Sequence, residues 1–136
     1  MRSWTFARTS TAALLIAGLA AGCKVSNATA PLGPCTAALT GLTVQLQCGQ
    51  PTLFDWSPDC SIGGVIVETA GTTAPGADLW IVHDPKGRIA APVSYGVTPR
   101  NATEVLASTP LVTGQRYRVH LLDGSGRELY MSDFTQ

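Results

Sequence analysis

Four cysteines, at positions 23, 35, 48 and 60, and two histidines, at 83 and 120, are the side chains best equipped for chemistry. A thiolate can attack, ligate a metal or close a disulfide, but these cysteines lack the paired ligand spacing of a zinc site. We therefore expect no metal. Each histidine has an acid nearby, in His83-Asp84 and in His120 with Asp123. Acid–base or metal chemistry would require such groups to converge in space. His83 ends an apolar segment at Asp84-Pro85-Lys86-Gly87, and His120 alternates with Arg116 and Arg118 on the polar side of its segment. Both read as solvated polar residues. Ser125 lies between glycines, but Gly124-Ser125-Gly126 reads as a tight turn, and no G-x-S-x-G elbow is present. No phosphate-cradling G-x-x-x-x-G-K motif occurs either. The expectation is a protein that is not an enzyme and uses no cofactor. The alternative is a small hydrolase built on His83 or His120.

Trp80 and Tyr95 are the candidate ligand-binding residues. Aromatic rings displayed on a sheet face could stack on sugar rings or peptide side chains. Leu79 and Ile81 occupy the opposite phase from Trp80, so one of the two sets faces outward. A carbohydrate- or peptide-binding module is the second functional reading.

The elements that must position these residues read as strands. After residue 38 no stretch sustains apolar residues at helical spacing without Gly or Pro interrupting it. Period-two segments separated by turn residues recur instead, which argues for a sandwich or barrel. Leu42, Val44, Leu46 and Cys48 alternate with polar residues, and Phe54 and Trp56 alternate in the next segment. Ile62 to Thr69 is a mostly continuous β-branched run, as in strands buried on both faces. Leu79 to His83, the alternating Val93, Tyr95 and Val97, and Glu104 to Ala107 follow. Tyr117, Val119 and Leu121 alternate next, Asp123 to Gly126 is a hairpin turn, and Leu129 to Phe134 closes the chain. The predicted fold class is all-β, a single Greek-key β-sandwich of seven to eight short strands.

The first segments also sort the cysteines. Cys48 ends the first strand, and Cys60 follows the second at the opposite end of the sheet. About five strand residues, roughly 17 Å, separate them, against the ~4.4–6.8 Å between Cα atoms that a disulfide allows. Cys35 precedes the first strand at the same end as Cys60, so Cys35–Cys60 is favoured over Cys48–Cys60. Cys48 is in phase with Leu42, Val44 and Leu46 and should point into the core.

The N-terminus carries a different signal. Arg2 and Arg8 are the only charges before Cys23, and an uncharged, Ala- and Leu-rich run from Thr11 to Gly22 follows. The run is too short to span a bilayer, which takes ~20 apolar residues. It fits a secretory signal with small residues at its cleavage point. Leu19-Ala20-Ala21-Gly22-Cys23 resembles the lipobox of bacterial lipoproteins. The resemblance implies a signal peptide over residues 1–22 and lipidation of Cys23, with the membrane as partner through that anchor. Lys24, in place of Asp, implies sorting to the outer membrane, facing the periplasm or the exterior. Residues 23–38, rich in small and polar residues, read as the lipidated Cys and a tether. Residues 39–136 read as the β-sandwich domain. Without Arg2 and Arg8, seven basic residues stand against nine acidic ones, a formal net charge of −2. With no basic patch, nucleic acid is not an expected partner. An envelope protein or a glycan is.

Within the domain, Leu111-Val112-Thr113-Gly114-Gln115-Arg116-Tyr117-Arg118-Val119 resembles the corner and following strand of fibronectin type III domains. Phe54-Asp55-Trp56-Ser57-Pro58 resembles their tryptophan-bearing strand. The resemblance implies that Trp56 is the central core aromatic and that the Tyr117 hydroxyl bonds to backbone upstream. The long stretch from Ala77 to Pro110 departs from that family's spacing. Taken together, these readings describe a membrane-anchored envelope lipoprotein whose domain is a non-catalytic interaction or structural module.

Overall fold

The computed structural model describes residues 33–36, 38–46 and 51–136. Cys23, Lys24 and Cys48, with the expectations attached to them, lie outside the described residues. The described chain is all-β. Its strands are β1 (Gly41–Gln45), β2 (Leu53–Ser57), β3 (Gly64–Thr69), β4 (Asp78–His83), β5 (Val93–Ser94), β6 (Thr103–Leu106), β7 (Arg116–Leu122) and β8 (Glu128–Thr135). They form two antiparallel sheets, one ordered β1-β2-β5 and the other β6-β4-β3-β7-β8. This agrees with a β-sandwich of eight strands.

Alternation decides which side chains fill the space between the sheets. Phe54 and Trp56 point inward from β2, Val65 and Val67 from β3, Trp80 and Val82 from β4, and Tyr117, Val119 and Leu121 from β7. Phe134 of β8 meets Phe54 edge-on at 5.6 Å and Tyr117 at 5.7 Å between ring centroids, joining the layers. Trp56 is 4% exposed, and its Nε1 donates to the Cys60 carbonyl at 2.8 Å. The β3 segment is not buried on both faces as its β-branched run suggested. Val65 and Val67 are fully buried, but Ile66 is half-buried, because among the described residues no second layer covers the other face of the five-stranded sheet. The alternating Val93, Tyr95 and Val97 also make less strand than expected. Val97 turns its N–H back to Ser94 O, so β5 stops at two residues and Val97 is 54% exposed.

Cys35 and Cys60 form a disulfide, with Cα atoms 5.1 Å apart. The chain is already part of the domain there. Cys35 N donates to Ser61 O, and Ser61 N donates to Gly33 O, both at 2.8 Å. Residues 33–36, within the span read as tether, are thus bonded to the sandwich.

Two turns with one sequence pattern, Asp-x-x-Gly-Arg, close this end of the molecule. In Asp84-Pro85-Lys86-Gly87-Arg88 the carboxylate accepts the N–H groups of Lys86 and Arg88 at 3.1 and 3.0 Å and the Arg88 Nε at 2.9 Å. In Asp123-Gly124-Ser125-Gly126-Arg127 the carboxylate accepts the N–H groups of Ser125 and Arg127 at 2.9 and 3.0 Å and the Arg127 Nε at 3.0 Å. Gly87 and Gly126 take the same place in each turn, with φ of +65° and +87°, a conformation open to glycine. The turns also pack together: a Cβ on Gly124 would lie 2.6 Å from Pro85 O, closer than any side chain tolerates. Asp84 is 2% exposed. The Arg88 guanidinium, aided by the two N–H groups, outweighs burial and holds its carboxyl at about 2. The Ser125 hydroxyl and the Arg127 and Ser125 amides hold Asp123 at about 2 as well.

The corner before β7 is closed by Tyr117, which is 3% exposed. Its hydroxyl accepts the Val112 N–H at 2.7 Å, so the upstream backbone partner is an amide. Tyr117→Phe keeps the ring and removes the acceptor. We expect it to cost about 1 kcal/mol in urea melts and to speed amide exchange at Val112. Unchanged exchange at Val112 would show that this bond does not hold the corner.

Candidate functional site

The two aromatic candidates are not on the surface. Trp80 is 0% and Tyr95 9% exposed, and their rings meet edge-on at 5.3 Å between centroids. The Trp80 Nε1 donates to Glu104 Oε1 at 3.1 Å, and the Tyr95 hydroxyl donates to Thr109 O at 2.6 Å. Burial pushes the Tyr95 hydroxyl up to about 12, keeping it a neutral donor. Trp80 and Val82 take the inward phase of β4, and Leu79 and Ile81 take the outer one. These two residues therefore join the core, with Tyr95 also at the edge of a hollow.

The two histidines do not converge. His83 ends β4 and His120 lies on β7, with β3 between them, so the strand spacing alone sets them about 10 Å apart. The Ser125 hydroxyl donates to Asp123 at 2.6 Å within its turn. Among the described residues, no group of three or more His, Cys, Asp or Glu could hold a metal ion.

What the outer face of the five-stranded sheet does carry is a charged zipper across three strands. One transverse row reads Leu106, Ile81, Ile66, His120, Met131 across β6, β4, β3, β7 and β8. The adjoining row sets Glu68 of β3 against Arg118 of β7 and Arg118 against Asp133 of β8. Arg118 Nε donates to Asp133 Oδ1 at 2.6 Å, and Arg116 reaches the other oxygen at 2.8 Å. These guanidiniums, Arg118 first, lower the Asp133 carboxyl, and Asp133 raises Arg118 in return. His120 places Nε2 3.3 Å from Glu68 Oε1 and Nδ1 2.7 Å from Glu128 Oε2. The outward phase expected for His120 is the one observed, but the ring is not simply solvated. Its side chain is only 18% exposed, held between two carboxylates.

Among the described residues, two hollows open at the end of the sandwich away from the disulfide. One, of about 400 Å³, lies between the β3–β4 loop (residues 70–77) and the charged face, with Glu68, Asp78 and Arg118 on its wall. The other, of about 380 Å³, is bounded by Thr52, Tyr95, Gly96, Ser108, Leu111 and Gln136. Family models, curated proteins and solved structures offer no match to this chain. The chemistry of the face is thus read from its own geometry: it can hold charged or hydroxylated groups.

Sequence reasoning found His120 and Arg118 as one polar face but missed Glu68 and Glu128 as partners. The signal was available in part. Glu68 is the first acid after a β-branched run, and Glu128 follows the hairpin at a distance that returns it beside β7.

Trp80→Ala tests the burial directly. It should cost ~3–5 kcal/mol through lost packing and a cavity, and acrylamide should hardly quench the Trp80 emission. Ready quenching together with a cost under about 1 kcal/mol would return Trp80 to the surface.

Proposed function

We propose that this chain is a lipid-anchored protein of the bacterial cell envelope, with a sandwich that serves as a non-catalytic interaction or structural module. The observation that carries the reading is the Cys35–Cys60 disulfide. Disulfides of this structural kind persist in oxidising compartments outside the cytosol, which is where a signal cleaved before Cys23 would deliver the chain. The Leu19 to Cys23 pattern supplies the anchor, and Lys24 favours the outer membrane. Two or more acyl chains hold a protein stably on a bilayer where one does not.

The arrangement of the domain supports the same reading. The chain enters the sandwich at the disulfide, and both hollows open at the opposite end. An anchor near the first end would leave the hollows directed away from the membrane, towards an envelope protein or glycan.

The finer fold reading is fibronectin type III-like. In its favour are the β1-β2-β5 sheet, the neighbouring β4-β3-β7-β8 order and the Tyr117 corner. On this reading β6 is an added edge strand, which accounts for the long spacing between Ala77 and Pro110.

The anchor is tested by feeding labelled palmitate to cells making the wild-type chain or Cys23→Ala. The wild type should take up label and the variant should not. Equal label on both would overturn the reading.

A further inference from the structure

His120 sits between carboxylates from the two strands that flank its own. A neutral imidazole has one N–H and one lone pair, and only the imidazolium donates from both nitrogens. Of the two contacts, the one to Glu128 is a hydrogen bond, and the one to Glu68 is an ion-pair approach that attracts only when the ring carries its charge. A neutral ring must turn a lone pair towards one carboxylate. The shorter contact is Nδ1 to Glu128 at 2.7 Å, against 3.3 Å from Nε2 to Glu68. The single remaining proton belongs on the shorter contact, so Glu68 is the group released.

The surroundings give that release a destination. From β3 the charged group facing the ring is Glu68, from β8 it is Glu128, and along β7 it is Arg118. Arg118 feels the charges of both glutamates. Asp133 is already held by Arg118 and Arg116, and Ile66 and Met131 flank the ring as apolar neighbours in its row. Glu68 and Arg118 share the wall of the 400 Å³ hollow with Asp78.

We propose that His120 is a proton-operated clasp: protonated, it ties β3 and β8 across β7, and deprotonated, it keeps Glu128 and hands Glu68 to Arg118 at the hollow. The Nε2–H bond breaks, its electron pair stays on Nε2 as the lone pair, and the proton passes to solvent. The consequence is a hollow whose charge arrangement follows pH.

Ring ¹⁵N and carboxyl ¹³C spectra of the intact chain in detergent micelles test this across the imidazole titration. The neutral ring should carry its proton on Nδ1, and the Glu68 carboxyl shift should move in step with the ring. In His120→Gln that coupled step in Glu68 should vanish, and in Glu128→Gln the proton should transfer to Nε2. A wild-type neutral ring protonated on Nε2, or a Glu68 shift that ignores the ring, would overturn the clasp. All of these are exposed or half-buried substitutions on one face, and a far-ultraviolet spectrum of each variant confirms the fold.

Discussion

The carboxylate of Asp84 is the constraint on which this end of the molecule depends. It lies almost wholly out of solvent, and burying an ion is costly unless its acceptors are filled. Two backbone N–H groups and the Arg88 guanidinium fill them, and in doing so they fix the turn that leaves β4. That turn receives the Ser61 hydroxyl on Gly87 O at 2.7 Å, one residue from the disulfide. It also receives Gly124 of the β7–β8 turn against its backbone. Four separate stretches of chain, around residues 35, 61, 86 and 124, thus meet at a single arrangement. The second Asp-x-x-Gly-Arg turn repeats the chemistry where the carboxylate is more open, and so it follows the first.

What could be read from the sequence was whatever the physics of one strand decides. Tyr117, Val119 and Leu121 alternate with Arg116, Arg118 and His120, so the phase of β7 could be assigned from that segment alone. The Cys35–Cys60 disulfide followed from strand length, since a five-residue strand separates its two ends by more than a disulfide can span. Trp80 was ambiguous for a physical reason: both phases of β4 are apolar, and only the neighbouring sheet decides which side is covered. Val97 continued an alternation that the chain itself breaks by turning back on Ser94. The partners of His120 come from β3 and β8, far away in sequence, and pairing register is a tertiary fact. The repeated Asp-x-x-Gly-Arg pattern was legible but needed the two turns to be compared with each other.

The resulting molecule has two unlike ends joined by one charged face. At one end the disulfide and the two turns lock the entry of the chain. At the other, two hollows open between loops. Between them, the outer face of the five-stranded sheet alternates acid and base from Asp133 through Arg118 and Glu68 to His120 and Glu128. Exposed ion pairs contribute little to stability singly. Their arrangement across three strands is instead a feature of what the face presents.

The most direct test is the pH dependence of stability in wild type and Asp84→Asn. The Asp84 carboxyl is held at about 2, below its ordinary value of 3.8, so its ionised form is favoured in the folded state. Its contribution is full above the ordinary value and is lost as pH falls through the folded one. Urea melts from pH 5 to pH 2 should show wild type losing stability steeply between about 4 and 2. Asp84→Asn should already be weaker at pH 5 and follow a flatter curve. Parallel curves for the two proteins, with equal stability at pH 5, would contradict the account.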